Sequence, residues 1–141
     1  MIKMWLNLVI SSILLFGSTI TFADSSSSTR ALSPNVSVVG DMTPAKFKNL
    51  MQQDFKSVIV NRPDQEVGNQ TTASELRSLA EKANKSLIYQ PVVSGQITDS
   101  DAQEFAKYYN SLPKPILLVC KSGSRSTVLF NKAKSLGLID E

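Results

Sequence analysis

The chain reads as an α/β domain built on a parallel sheet of four to five strands flanked by helices. Short apolar runs alternate along it with longer amphipathic segments, the pattern of strands joined by helical crossovers. One run, Ile116-Leu117-Leu118-Val119, is apolar throughout and lies between Pro115 and a Gly/Ser-containing stretch. Unbroken apolarity marks a strand buried on both faces, which is the environment of a parallel sheet covered by helices on two sides. A chain of 141 residues with 42% hydrophobic and 19% charged content is sized for a single core.

The elements follow in order. Residues 35–39 form a short strand, and Thr43 then offers an N-cap with Pro44 at the first helical position, for a helix to about residue 53. Residues 56–60 are the next strand. Residues 61–71 are polar, hold Pro63 and Gly68, and read as a loop. Thr72 with Glu75 forms a capping box that opens a helix to about residue 84. Residues 86–93 return as a strand, broken by Ser94-Gly95. Thr98 with Asp101 repeats the box and opens a helix carrying Phe105, Tyr108 and Tyr109, which Pro113 and Pro115 stop. The strand 116–119 is followed by a turn and a helix with Val128, Leu129, Ala133 and Leu136 on one face, ending at Gly137.

Upstream of these elements, residues 1–23 have the pattern of an export signal. Lys3 supplies a positive start, an apolar stretch runs to Phe16, and Thr21-Phe22-Ala23 offers small residues for cleavage before Asp24. That stretch, interrupted by Asn7, Ser11 and Ser12, falls short of the roughly 20 apolar residues that cross a bilayer. The expected destination is the periplasm, with no membrane attachment after cleavage; an uncleaved tether facing the same compartment is the alternative. Residues 24–34, with Ser25 to Ser28, read as a flexible leader to a domain over 35–141.

Charge and composition remove several classes of function. The net charge is +3, but Lys and Arg are scattered and form no run of the kind that marks a nucleic-acid tail, so no nucleic-acid partner is expected. The chain has no histidine, which rules out a Cys/His or Ser/His pair, an imidazole zinc site and a histidine general base. No metal or organic cofactor is implied. Cys120 is the only cysteine, so it cannot form an internal disulfide.

Cys120 begins the run Cys120-Lys121-Ser122-Gly123-Ser124-Arg125-Ser126, at the carboxyl end of the most apolar strand and just before a helix. Ligands of open α/β sheets bind beyond the carboxyl ends of the strands. Successive backbone N–H groups in such a turn point inward as a nest, Gly123 permits the backbone angles, and the helix dipole adds positive potential. Arg125 can grip two oxygens of an anion with its planar fork, and Lys121 adds a flexible charge. A field of this sign favours the thiolate, the reactive form of cysteine. Ser126 is placed to donate a hydrogen bond to the sulfur. The bland alternative is a strand-to-helix turn in which Cys120 packs as a small hydrophobe, Arg125 is solvated and Ser124 or Ser126 caps the helix.

With these residues in view, the chain resembles the small bacterial domain described as phosphatase-like, found alone or joined to a metallo-β-lactamase-type hydrolase and often named a sulfurtransferase. The resemblance covers most of the chain after the leader. It rests on Val58-Ile59-Val60-Asn61-Arg62-Pro63-Asp64, on Pro91-Val92-Val93-Ser94-Gly95 with Ile97-Thr98, and on Cys120 through Ser126. It implies a fold similar to protein tyrosine phosphatases of the dual-specificity type. Two departures qualify the activity it implies. Cysteine phosphatases place one residue more between cysteine and arginine, and usually a histidine before the cysteine, where this chain has Val119. Their acid, an aspartate that protonates the leaving alcohol, would fall near Ser94, where no carboxylate stands. The shorter Cys-x-x-Gly-x-Arg loop is similar to that of rhodanese-type sulfurtransferases.

Other carboxylates offer themselves only weakly. Asp99 and Asp101 are read as helix N-terminal charges. Asp64, with Asn61 and Arg62, follows a buried strand on the edge that Cys120 shares, where it either lines the pocket or pins a loop. The first reading of function is a sulfurtransferase carrying a persulfide at Cys120, with Arg125 and the loop residues Lys121, Ser122, Gly123 and Ser124 holding an anionic donor. Its alternatives are a cysteine phosphatase forming a phosphocysteine and a non-catalytic anion- or protein-binding module. The partners implied are a small anionic sulfur or phosphate substrate and a thiol acceptor or reducing partner, since an exposed thiolate without a resolving cysteine is prone to oxidation.

Overall fold

The computed structural model of the chain describes Gly17 and residues 29–141. The expected signal over residues 1–23 and the Ser-rich start of the leader lie outside this span, apart from Gly17. Five strands and four helices follow one another as β1 (Arg30–Ser33), β2 (Val36–Val39), α1 (Pro44–Leu50), β3 (Ser57–Val60), α2 (Ala73–Lys82), β4 (Ser86–Tyr89), α3 (Asp99–Ser111), β5 (Ile116–Val119) and α4 (Ser124–Ser135). They build one sheet of order β1-β2-β5-β3-β4, parallel from β2 to β4, with β1 antiparallel along one edge.

β5, the most apolar strand, takes the central place between β2 and β3, and all four of its side chains are buried. Its side chains alternate between two cores, as strand geometry demands. Leu117 and Val119 join Phe47, Leu50, Leu76 and Ala80 of α1 and α2 on one face. Ile116 and Leu118 join Phe105, Tyr109, Leu129, Phe130 and Ala133 of α3 and α4 on the other. The predicted caps form: Thr43 accepts from the Lys46 N–H, and reciprocal capping boxes join Thr72 with Glu75 and Thr98 with Asp101. The last turns of α2 and α4 close over residues of positive φ, Asn84 at 59° and Gly137 at 71°.

Three boundaries differ from the sequence reading. Residues 30–33, expected in the flexible leader, are strand β1, because the exposed edge of β2 offers a row of backbone groups for them to pair with. α1 ends at Leu50, short of residue 53, as the Gln52 and Gln53 N–H groups turn to the carbonyls three residues back. β4 ends at Tyr89 instead of continuing to Val93. Pro91 has no N–H to give, and only the Gln90 and Val92 amides extend the pairing, to Val60 and Asn61. Among the described residues, no helix is long and apolar enough to cross a membrane.

Candidate active site

The carboxyl ends of β2, β5 and β3 bring Gly40, Cys120 and Asn61 to one edge of the sheet, where the chain turns from Cys120 through Gly123 into α4. Backbone bonds fasten this turn to β2: the Cys120 N–H donates to Val39 O at 3.2 Å, and the Asp41 N–H to Lys121 O at 2.9 Å. A Cβ at position 40 would lie 2.8 Å from the Lys121 carbonyl oxygen, so glycine is what lets strand end and loop approach so closely. Gly123 completes the turn at φ 86° and donates its N–H to Cys120 Sγ at 2.9 Å. As N-cap of α4, Gly123 brings no side chain to the helix start; the Ser124 N–H reaches Ser122 Oγ at 3.4 Å, and the Arg125 and Ser126 N–H groups, which have no acceptor within the helix, face an anion or water.

Cys120 lies at the floor of this cradle and is fully buried, rather than exposed as the sequence suggested. Lys121, Ser122 and Ser124 form its exposed rim, and Gly123 is buried beneath them. Arg125 is also buried, its side chain 6% exposed. Nη1 donates to Val92 O at 3.1 Å, and Nη2 lies 2.9 and 2.8 Å from the two oxygens of Glu66. Its Nε is buried and has no hydrogen-bond partner. Both terminal nitrogens of Arg125 are therefore engaged within the protein, so the fork expected to grip two oxygens of an anion keeps only Nε unmatched, and the residue is not solvated.

Glu66 belongs to no motif that the sequence offered, yet it joins two arginines. Besides Arg125 it lies 3.2 Å from Arg62 Nε, and Arg62 in turn pairs with Asp41 and donates to Val67 O. The hydrogen bond from Arg125 holds the Glu66 carboxyl below its ordinary range against the opposing effect of burial, with further help from the charges of Arg125, Arg62 and Lys121. At neutral pH Glu66 is thus an ionised brace for Arg125, and no proton is stored on it for a leaving group.

Several expected roles change. The Ser126 hydroxyl donates to Asn61 Oδ1 at 2.8 Å, not to Cys120; both residues are wholly buried, and Asn61 Nδ2 donates onward to Gln90 O at 3.1 Å. Ser126 thus positions the loop through Asn61. Asp64 pins a loop and does not line the cradle: its Oδ1 accepts the Ala73 N–H at 2.7 Å, and its own N–H donates to Tyr89 Oη. Arg62 stands behind Glu66 as support. Ser94 does line the site, in a groove of about 240 Å³ with Gly95, Ile97, Ser124, Arg125 and Val128. Asp101 is spent in its capping box, and Asp99 pairs with Lys132. Among the described residues, no three His, Cys, Asp or Glu side chains cluster as a metal site.

The family model described as the beta-lactamase hydrolase-like protein, phosphatase-like domain, matches residues 28–137. The chain belongs to this family. This phosphatase-like domain is 27% identical over 99 residues to a beta-lactamase hydrolase-like protein of Xylella fastidiosa (strain Temecula1), a match covering 70% of the chain and 23% of the relative. It is 29% identical over 105 residues to the beta-lactamase hydrolase-like protein of Agrobacterium fabrum, covering 74% and 24%. The match thus spans about a quarter of the length of these relatives. A crystal structure of a candidate phosphatase from Neisseria meningitidis Z2491 superposes with a TM-score of 0.66 at 25% identity, covering 72% of each chain. The core catalytic domain of the PP-IP phosphatase SIW14 of S. cerevisiae gives 0.60 at 16% identity, covering 77% and 65%. Tk-PTP in its active form gives 0.56 at 16%, covering 77% and 82%. The phosphatase-like domain therefore has the fold of protein tyrosine phosphatases, as the resemblance implied.

Proposed function

We propose that the domain is a cysteine-dependent hydrolase of the phosphatase type. A phosphoryl group enters the cradle, where the first-turn amides of α4 and Arg125 Nε neutralise its oxygens. The sulfur of Cys120 attacks phosphorus, the leaving group departs with the electron pair of the broken P–O bond, and water then hydrolyses the phosphocysteine, releasing orthophosphate and the thiolate. The observation that carries this is the unmatched, buried Nε of Arg125, on the residue that ends the loop begun by Cys120. A buried donor without a partner is costly, and a bound oxyanion would supply the acceptor. Family membership and the shared fold favour phosphoryl transfer over other uses of such a cradle.

A second reading, sulfur transfer, is favoured by the four-residue spacing between Cys120 and Arg125 and by the serine at position 94. In it Cys120 would take the outer sulfur of a donor such as thiosulfate, release sulfite, and pass the sulfur to a thiol acceptor. Neither step needs an acid to protonate an alkoxide. On the hydrolase reading the same lack confines the enzyme to leaving groups that depart without a proton. The export pattern of residues 1–23 supports a periplasmic site for either chemistry.

Intact mass of the reduced protein and of its Cys120→Ser variant, after exposure to p-nitrophenyl phosphate and separately to thiosulfate, decides between them. Cys120-dependent phosphate release, with or without a trapped phosphoenzyme, supports the hydrolase. One added sulfur that needs Cys120 and is removed by cyanide would replace it with the sulfurtransferase. No Cys120-dependent product under either condition would make the cradle a binding module.

A further inference from the structure

A second cavity, of about 370 Å³, adjoins the cradle on the β2 side and shares no lining residue with the groove lined by Ser94. Its walls are Thr29, Arg30, Val38, Val39, Gly40, Lys46 and Ser122, so the loop residue Ser122 belongs to both cavity and cradle rim. Two cations face it, and both spend their hydrogen bonds on neutral acceptors. Arg30 Nη2 donates to Thr127 Oγ1 at 3.1 Å, and Lys46 Nζ donates to the Asp41 carbonyl at 2.8 Å. Among the described residues neither has a carboxylate partner. Asp41, the nearest carboxylate in sequence to Lys46, is turned to Arg62. Arg30 also sits close behind the loop, with Nη2 3.8 Å from where a Cβ on Gly123 would stand. Among the described residues the cavity is thus a pocket of positive charge without a carboxylate partner, and it shares Ser122 with the rim of the anion cradle.

We propose that this cavity is a second anion subsite, and that the substrate is a phosphoanhydride whose terminal phosphoryl group reacts at Cys120 while the neighbouring phosphate rests between Arg30 and Lys46. The proposal rests on the hydrolase reading and deepens it. With Asp64, Glu66, Asp99 and Asp101 all held in other contacts, none of these carboxylates near the site among the described residues is free to protonate a leaving oxygen. A phosphate leaving group needs no such proton, because it departs as a stable anion once the bridging P–O bond breaks toward it. Arg30 and Lys46 hold that departing charge, and water completes the turnover at the phosphocysteine.

Binding and turnover separate the two claims. Tripolyphosphate and orthophosphate are titrated calorimetrically into the Cys120→Ser protein and into the same protein carrying Arg30→Gln and Lys46→Gln. Each charge-assisted contact supports about a tenfold effect, so tripolyphosphate is expected to bind at least about tenfold more tightly than orthophosphate, and the double change to erase most of that preference. Equal affinities, or a preference untouched by the double change, would overturn the subsite. Phosphate release from tripolyphosphate by the unaltered protein tests the chemistry. Preferential binding without Cys120-dependent release from tripolyphosphate would keep the subsite and overturn the phosphoanhydride chemistry; the same silence with p-nitrophenyl phosphate would overturn the hydrolase reading as well.

Discussion

Glu66 Oε2 lies 2.8 Å from Nη2 of Arg125, and the two residues are 59 positions apart in the chain. Its carboxylate also faces Arg62, so one negative charge serves two buried arginines. Arg125 is in this way held in place by the protein itself, which would spare the cost of ordering a long side chain if an anion binds.

Glu66→Gln should therefore weaken both the fold and the cradle. Leaving buried Arg125 without its counter-charge, while Arg62 keeps Asp41, is expected to cost about 1–3 kcal/mol, less than a fully buried pair because Glu66 is a quarter exposed. The pH dependence has a definite sign. The folded Glu66 carboxyl titrates below its ordinary 4.5, so its contribution is complete above that value and fades as pH falls through the lower folded value. Denaturation of both proteins across this range should show the stability gap closing under acid; a gap of constant size would assign the loss to packing instead.

Asn61 and Ser126 form a wholly buried pair that ties β3 to α4. Each single change to alanine leaves the partner's polar atom unmatched and should cost about 1–3 kcal/mol. The double variant should lose less than the sum, with a coupling of about 0.5–1.5 kcal/mol in a double-mutant cycle. Strict additivity would mean that the hydroxyl has another partner.

At Gly40 the close contact is with backbone rather than with the end of a flexible side chain. Gly40→Ala would place a Cβ 2.8 Å from Lys121 O, and the loop must move to admit it. Orthophosphate affinity, measured by calorimetry, should fall by about tenfold or more while the far-UV spectrum is retained. Unchanged affinity would show that the cradle tolerates the shift.

Ser94 lines the groove beside Arg125 where a leaving group would exit. On the hydrolase reading, Ser94→Asp supplies the missing acid and should raise kcat/KM for alkyl phosphates by about tenfold or more, with little change for p-nitrophenyl phosphate, whose leaving group needs no proton. Equal changes for both substrates would point to an altered pocket shape rather than to acid catalysis.

How much of this was legible depended on how far the chain had to reach. Features set by neighbours in sequence could be read directly: the Thr72/Glu75 and Thr98/Asp101 boxes, the unbroken apolarity of Ile116 to Val119, and the Cys120 to Arg125 turn beside a helix start. Each depends on residues within a turn or a strand of one another, where propensity and pattern act. Such residues determined the α/β class and the place of the candidate site.

The tertiary structure alone decided what those residues touch. Glu66 meets Arg125 and Asn61 meets Ser126 because β3 and β5 end side by side, and Arg30 meets Thr127 across 97 positions because β1 pairs with β2. Nothing local distinguishes Glu66 from any other acid in a polar loop, or Arg30 from part of a serine-rich leader. Strand order and register bring those charges together, and these are settled by burying two apolar faces at once, a condition on the whole chain that no single segment carries.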